Sequence, residues 1–152
     1  MSVIETATDS DLTSLYSRRL LALAADIPHL GHLDAPEGSA KRRSPQCGST
    51  VSAEVVMDGD RVAEFAQEVR ACALGQASAG ILGQMMPGLT RDQLAEGRDA
   101  LAAILAGEPA PSGQFESLAV LSAARDFPNR HASIMLAWEA ALAAADTALT
   151  SK

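Results

Sequence analysis

Two alternating runs meet at Asp58-Gly59, and this juncture constrains the fold more than any other feature of the chain. Val51, Ala53, Val55 and Met57 alternate with Ser52, Glu54 and Val56. That period of two is the signature of a half-buried strand. Beyond Asp58-Gly59 the segment Arg61 to Arg70 alternates again, with Ala63, Phe65, Gln67 and Val69 on one face. Asp-Gly is a type I′ turn signal, because that turn needs positive φ at both central residues. The spacing predicts a hairpin, and a short strand before Cys47 can add a third member.

The flanks read as helices. Asp9 or Ser10 can cap a helix running to about Asp26, with Leu12, Leu15, Tyr16, Leu20 and Leu23 on one face and Pro28 beyond its end. His29 to Gln46 is polar and loop-like, punctuated by Gly31, Pro36 and Gly38. Cys72 to Met86 predicts a helix closed by Pro87-Gly88, and its Gly75, Gly80 and Gly83 point to close backbone approach or plasticity. Thr90 and Gln93 form a capping box for a helix ending at Gly107. A short helix near Glu116 to Ala124 and a last helix after Pro128, carrying Leu136, Trp138 and Leu142, complete the chain. Aromatic residues are only 3% of the sequence, so Ala, Leu, Val, Ile and Met must build the core. The expected class is α+β, a small antiparallel sheet of two to three strands with helices packed on one face. Residues 1–9 read as a flexible tail and residues 10–150 as a single domain.

Charge excludes some functions. Net charge is −7, and the only dense basic run is Lys41-Arg42-Arg43, with Arg18-Arg19 a lesser pair. Nucleic-acid binding needs clustered cations that displace counterions, so no nucleic-acid partner is expected. Lys41-Arg43 can still steer an anionic partner. The longest apolar run, Leu20 to Ala25, falls far short of the ~18 residues of a bilayer span, so no membrane association is expected. A polar N-terminus unlike a signal peptide makes cytoplasmic location the default expectation.

Cys47 sits in Pro45-Gln46-Cys47-Gly48-Ser49 at the hairpin entrance, and Cys72 in Ala71-Cys72-Ala73 at its exit. Both thiols therefore flank one hairpin at the same end. A cysteine at a helix N-terminus has its thiolate favoured by the helix dipole, which applies to Cys72. Cys47 lies on a loop beside a glycine and near Arg43, so it is the more accessible thiol. Spacing alone leaves open that both are small buried residues, because no CxxC pattern is present. His131 can be an imidazole ligand or a surface residue beside Arg130, and His29 and His32 read as solvated loop residues.

Pro45-Gln46-Cys47-Gly48, the Asp58-Gly59 hairpin, Ala71-Cys72-Ala73 with Gln76-Ala77-Ser78-Ala79, and Leu136-Ala137-Trp138 together resemble the NifU-like iron–sulfur cluster scaffold family, of IscU/SufU type. The resemblance runs from about Leu12 to Ala143. The long interval between Cys72 and the last helix favours the SufU-like branch. It implies a scaffold that accepts sulfur from a cysteine desulfurase, holds zinc or a [2Fe–2S] cluster, and serves recipient apoproteins or other assembly factors. The family uses three Cys and one Asp. Carried over, the first two Cys fall on Cys47 and Cys72, the Asp on Ser49, and the third Cys on Ser133. A slipped register pairs the family's His-Cys with His131-Ala132 instead.

Two ligand positions thus carry hydroxyls, which are protonated at neutral pH and bind metals poorly. Cys47 is the expected persulfide acceptor, Cys72 a second thiol or ligand, and Cys47, Cys72 and His131 an open zinc or iron site. The cofactor is zinc, iron or [2Fe–2S], or none. The resemblance implies a scaffold or sulfur acceptor rather than an enzyme. The alternatives are a metal-free interaction module that keeps the desulfurase-binding surface, and an enzyme with a Cys–His pair that has no evident orienting group.

Overall fold

A computed structural model of the chain describes residues 17–45 and 48–151. The expected tail, the expected caps Asp9 and Ser10, and Leu12, Leu15, Tyr16, Gln46 and Cys47 lie outside these residues. The first described helix, α1 (Arg18–Ala25), is capped by the Ser17 hydroxyl, which accepts from the Leu20 amide at 3.2 Å. Three antiparallel strands follow in the order β1-β2-β3: β1 (Gly38–Arg43), β2 (Thr50–Asp58) and β3 (Arg61–Arg70).

The hairpin turn is displaced by one residue from the expected place. Asp58 pairs with Arg61, so the two-residue loop is Gly59–Asp60, and only Gly59 has positive φ, +63°. Glycine at the first central position is the type II′ pattern rather than type I′. A bulge between Val56 and Met57 then shifts the register of β3. It turns Val62 inward and leaves Ala63 exposed, while Phe65 and Gln67 keep the expected buried face. β1 is the short strand expected before Cys47 as a third member, and it lies within the stretch read as polar and loop-like. Only its Gly38 is buried, and an edge strand carrying Lys and Arg has no alternating apolar signal to read.

Val51, Ala53, Val55 and Met57 point from β2 into the core. Next come α2 (Ala73–Met85), α3 (Arg91–Leu105), a 3-10 helix at Glu116–Asp126 where a short helix was expected, a 3-10 turn at Pro128–Arg130, and α4 (His131–Thr150). On this face α4 lies across β1 and β2 and α2 meets β3, while α3 packs on α4 and the 3-10 helix on α2 and α3. The capping box Thr90/Gln93 is present on α3. The stretch Pro128–Thr150 is long and apolar enough to cross a bilayer, at mean hydropathy 1.3, contrary to the reading of the apolar runs. Its polar positions are spaced so that no long uninterrupted run forms. In the fold it is the core helix, burying Ile134, Leu136, Trp138 and a series of alanines. Those alanines let it lie close to the sheet, where Gly38 packs on the backbone of Ala144 and Ala148. Arg91 ties α3 to α4 through Asp146, with Nε–Oδ1 at 2.7 Å.

Candidate functional site

Two connections meet at one end of the sheet. Thr50 pairs with Arg43 on one side and Arg70 on the other, so the β1–β2 connection and the exit from β3 share that end. Ser49 belongs to the first and Cys72 to the second. Ser44 and Ser49 close the β1–β2 connection with a 2.8 Å amide–carbonyl bond, and the Gly48 amide donates back to the Ser44 carbonyl at 2.9 Å. Cys47 stands in sequence between these anchors and lies outside the described residues.

Cys72 is the N-cap residue of α2, half-buried, with its thiol free. Its Sγ is 3.7 Å from Ser133 Oγ, and the Ser133 hydroxyl donates to Ser49 Oγ at 2.9 Å. Ser49, Ser133 and Cys72 therefore form one hydrogen-bonded chain, two members of which are buried. Each hydroxyl carries one proton and can rotate. With a neutral thiol, Ser133 gives its proton to Ser49. With a thiolate, the same hydroxyl can turn to the sulfur and accept from Ser49. Burial pushes the Cys72 thiol up. The amides of Gly75 and Leu74, the Ser133 hydroxyl and the Arg130 charge outweigh it and hold the thiol below its ordinary value. No tight capping hydrogen bond reaches the sulfur, so the helix amides act as a field rather than as a ligand.

Gly75 sets the spacing of this site. A Cβ there would stand 2.9 Å from Ser133 Oγ and 2.7 Å from Ala71 Cβ. Only glycine lets the first turn of α2 lie this close to α4. Close backbone approach was the reading of this glycine. Its part in placing Ser133 against Cys72 was not, nor was the electrostatic role of Arg130. A glycine three residues after a helix-capping cysteine is the signal that points to the first.

Ser133, not Ala132, faces Cys72, and Ala132 is exposed. His131 is held elsewhere. Its Nε2 donates to the Ala124 carbonyl at 2.8 Å, tying the start of α4 to the 3-10 helix. Residues two apart on a helix point about 200° from each other, so His131 and Ser133 face different neighbours. Among the described residues no group of three or more His, Cys, Asp and Glu side chains forms a metal site. His32, read as a solvated loop residue, is exposed and also bridges Glu54 (3.0 Å) and Glu68 (2.5 Å) on the outer face of the sheet. The hydrogen bond to Glu54 and the charges of both carboxylates raise its pKa. His29 has φ +64° and meets the Phe65 ring edge-on.

The fold has counterparts among solved structures. The N-terminal part of a nitrogen-fixing NifU-like protein from Brucella abortus is 34% identical, with a TM-score of 0.90 over 93% of this chain and 99% of that one. The chain belongs to the NifU/IscU/SufU scaffold family. The iron–sulfur cluster assembly scaffold protein IscU of Streptococcus pyogenes serotype M1 is 27% identical to this family member over 139 residues, covering 86% of this chain and 82% of that protein. A Fervidobacterium islandicum AW-1 protein assigned to the SUF system shares the fold, with a TM-score of 0.78 at 19% identity over 86% of this chain and 98% of that one. No family model matches the chain.

Proposed function

We propose that this family member is a sulfur-accepting scaffold in iron–sulfur cluster assembly and that its site works through thiols. The observation that carries this reading is Cys72, a half-buried thiol of lowered pKa held beside Ser133 at the sheet end that also bears the Cys47 connection. The naming of the streptococcal relative as an assembly scaffold supports the pathway. Cys47 is the persulfide acceptor and Cys72 the second thiol. In the transfer, the Cys47 thiolate attacks the outer sulfur of a persulfide on a cysteine desulfurase. The sulfur–sulfur bond of that persulfide breaks, the desulfurase cysteine leaves as a thiolate, and Cys47 carries the sulfane sulfur. A second exchange of the same kind passes it to Cys72, to an apoprotein or to another assembly factor. A reducing, cytoplasmic setting that keeps both thiols free belongs to the same reading.

A resident zinc ion or [2Fe–2S] cluster does not fit the residues present. Ser49 and Ser133 stand at two of the four positions that the resemblance assigns to ligands, and they hydrogen-bond each other. A neutral hydroxyl is a weak donor to zinc or iron. The His131 ring is tied to the Ala124 carbonyl, on a different face of α4 from Ser133, which meets Cys72. Cys47 and Cys72 alone leave a four-coordinate site incomplete.

The test is incubation with a cysteine desulfurase and L-cysteine, alkylation of the products and peptide mass mapping. The reading predicts one added sulfur on Cys47, lost in Cys47→Ala. No added sulfur on either thiol, with desulfurase binding intact in Cys47→Ala and Cys72→Ala, would replace it with the metal-free interaction module. The Ser49–Ser133 bond favours that second reading, since it satisfies the site without any ligand.

A further inference from the structure

We infer that the outer face of the sheet, at the end bearing the thiol site, seats an acidic segment of the protein that delivers sulfur. Arg43, Thr50 and Arg70 stand in one row across the three strands, and Lys41, Ser52 and Glu68 in the next. These side chains lie on the face opposite Val51 and Ala53. With Gly48 they line an open concavity of about 510 Å³. Gly48, in its lining, follows the acceptor Cys47 directly in sequence.

Lys41, Arg43 and Arg70 are exposed, and none has a carboxylate within 4.0 Å among the described residues. Glu68, the one acid in the lining, is engaged by His32. Strands are about 4.8 Å apart and alternate residues about 6.7 Å, so the three cations fall within roughly 12 Å of one another. The chain as a whole carries −7, so its general field repels an acidic partner. This patch reverses the field locally and gives such a partner one favoured orientation. Thr50 and Ser52 add hydroxyl donors between the cations, which suits carboxylates rather than an apolar anchor. The inference rests on the sulfur-transfer reading for the identity of the partner.

The full-length protein is titrated with a cysteine desulfurase, and separately with hexaglutamate under amide-resonance detection. The triple variant K41E/R43E/R70E, with its fold checked by circular dichroism, should bind the desulfurase at least about tenfold more weakly and lose the salt dependence of the wild type. Hexaglutamate should shift the resonances of Lys41, Arg43, Thr50 and Arg70. Unchanged desulfurase affinity in the triple variant overturns the inference and leaves sulfur transfer standing. Hexaglutamate shifts without any desulfurase binding keep the acidic seat and overturn sulfur delivery. Inorganic phosphate saturating the same resonances at lower concentration than hexaglutamate overturns the inference in favour of a small-anion site. So does a shift of those resonances in free protein lacking residues 2–16, where Glu5, Asp9 and Asp11 lie.

Discussion

The beginning and the middle of α4 are held by different forces. At Trp138 the helix is anchored by hydrocarbon: the ring is fully buried, meets Phe115 edge-on with centroids 6.2 Å apart, and packs on Gly97. Its indole N–H has no acceptor among the described residues, so bulk rather than polarity holds it there. At Ser133 the helix is anchored by a hydroxyl chain to Cys72 and Ser49 and by the space Gly75 leaves. The division separates stability from reactivity. The middle anchors the helix through burial, and the beginning places a hydroxyl against the thiol.

Trp138→Ala should break the first half of this contrast most severely, costing about 3–5 kcal/mol in urea unfolding. A loss smaller than that of Gly75→Ala would remove the distinction. Gly75→Ala is the next in size, at about 1–3 kcal/mol, because its Cβ must displace Ser133 or Ala71. It should also raise the pH at which Cys72 is alkylated, read in a Cys47→Ala background. Ser133→Ala should cost about 1 kcal/mol and raise the same alkylation midpoint without parting the helices.

The stability linked to Cys72 has a defined direction. Its thiol is held below the ordinary value of 9.0. The stabilisation is therefore full above that value and is lost as pH falls through the lower folded value. Unfolding free energy should gain an alkaline increment that Cys72→Ala abolishes and Ser133→Ala reduces. His32→Gln is the smallest perturbation. The imidazole is raised above its ordinary 6.5, so its contribution is full below 6.5 and disappears as pH rises through the folded value. Unfolding curves of wild type and variant should differ in acid and converge in alkali.

The contrast also explains what the sequence made legible. The β2 alternation, the Thr90/Gln93 box and the apolar last helix are repeated signals, and each appears in the structure within a residue or two. The phase of β3 was not readable at Ala63, because a bulge inserts one residue without marking the sequence. β1 was legible as a short strand before Cys47, but its polar edge composition hid its bounds, and the carboxylate partners of His32 are brought near only by strand pairing. At the site, Cys72 as a helix-capping thiol was readable from local pattern. Ser49 and Ser133 were nameable only through family resemblance, since two isolated serines carry no spacing signal. Arg130 and Gly75 act through distances that no local pattern encodes.

Cobalt(II) titration of the wild type beside the double variant S49D/S133C, read by thiolate-to-metal charge-transfer absorption, separates a hydroxyl-filled site from a metal site. The hydroxyl chain predicts no stoichiometric tetrahedral site in the wild type and a saturable one in the double variant. A wild-type protein that binds one cobalt per chain with that absorption, and loses it in Cys72→Ala, would instead make this a working metal site.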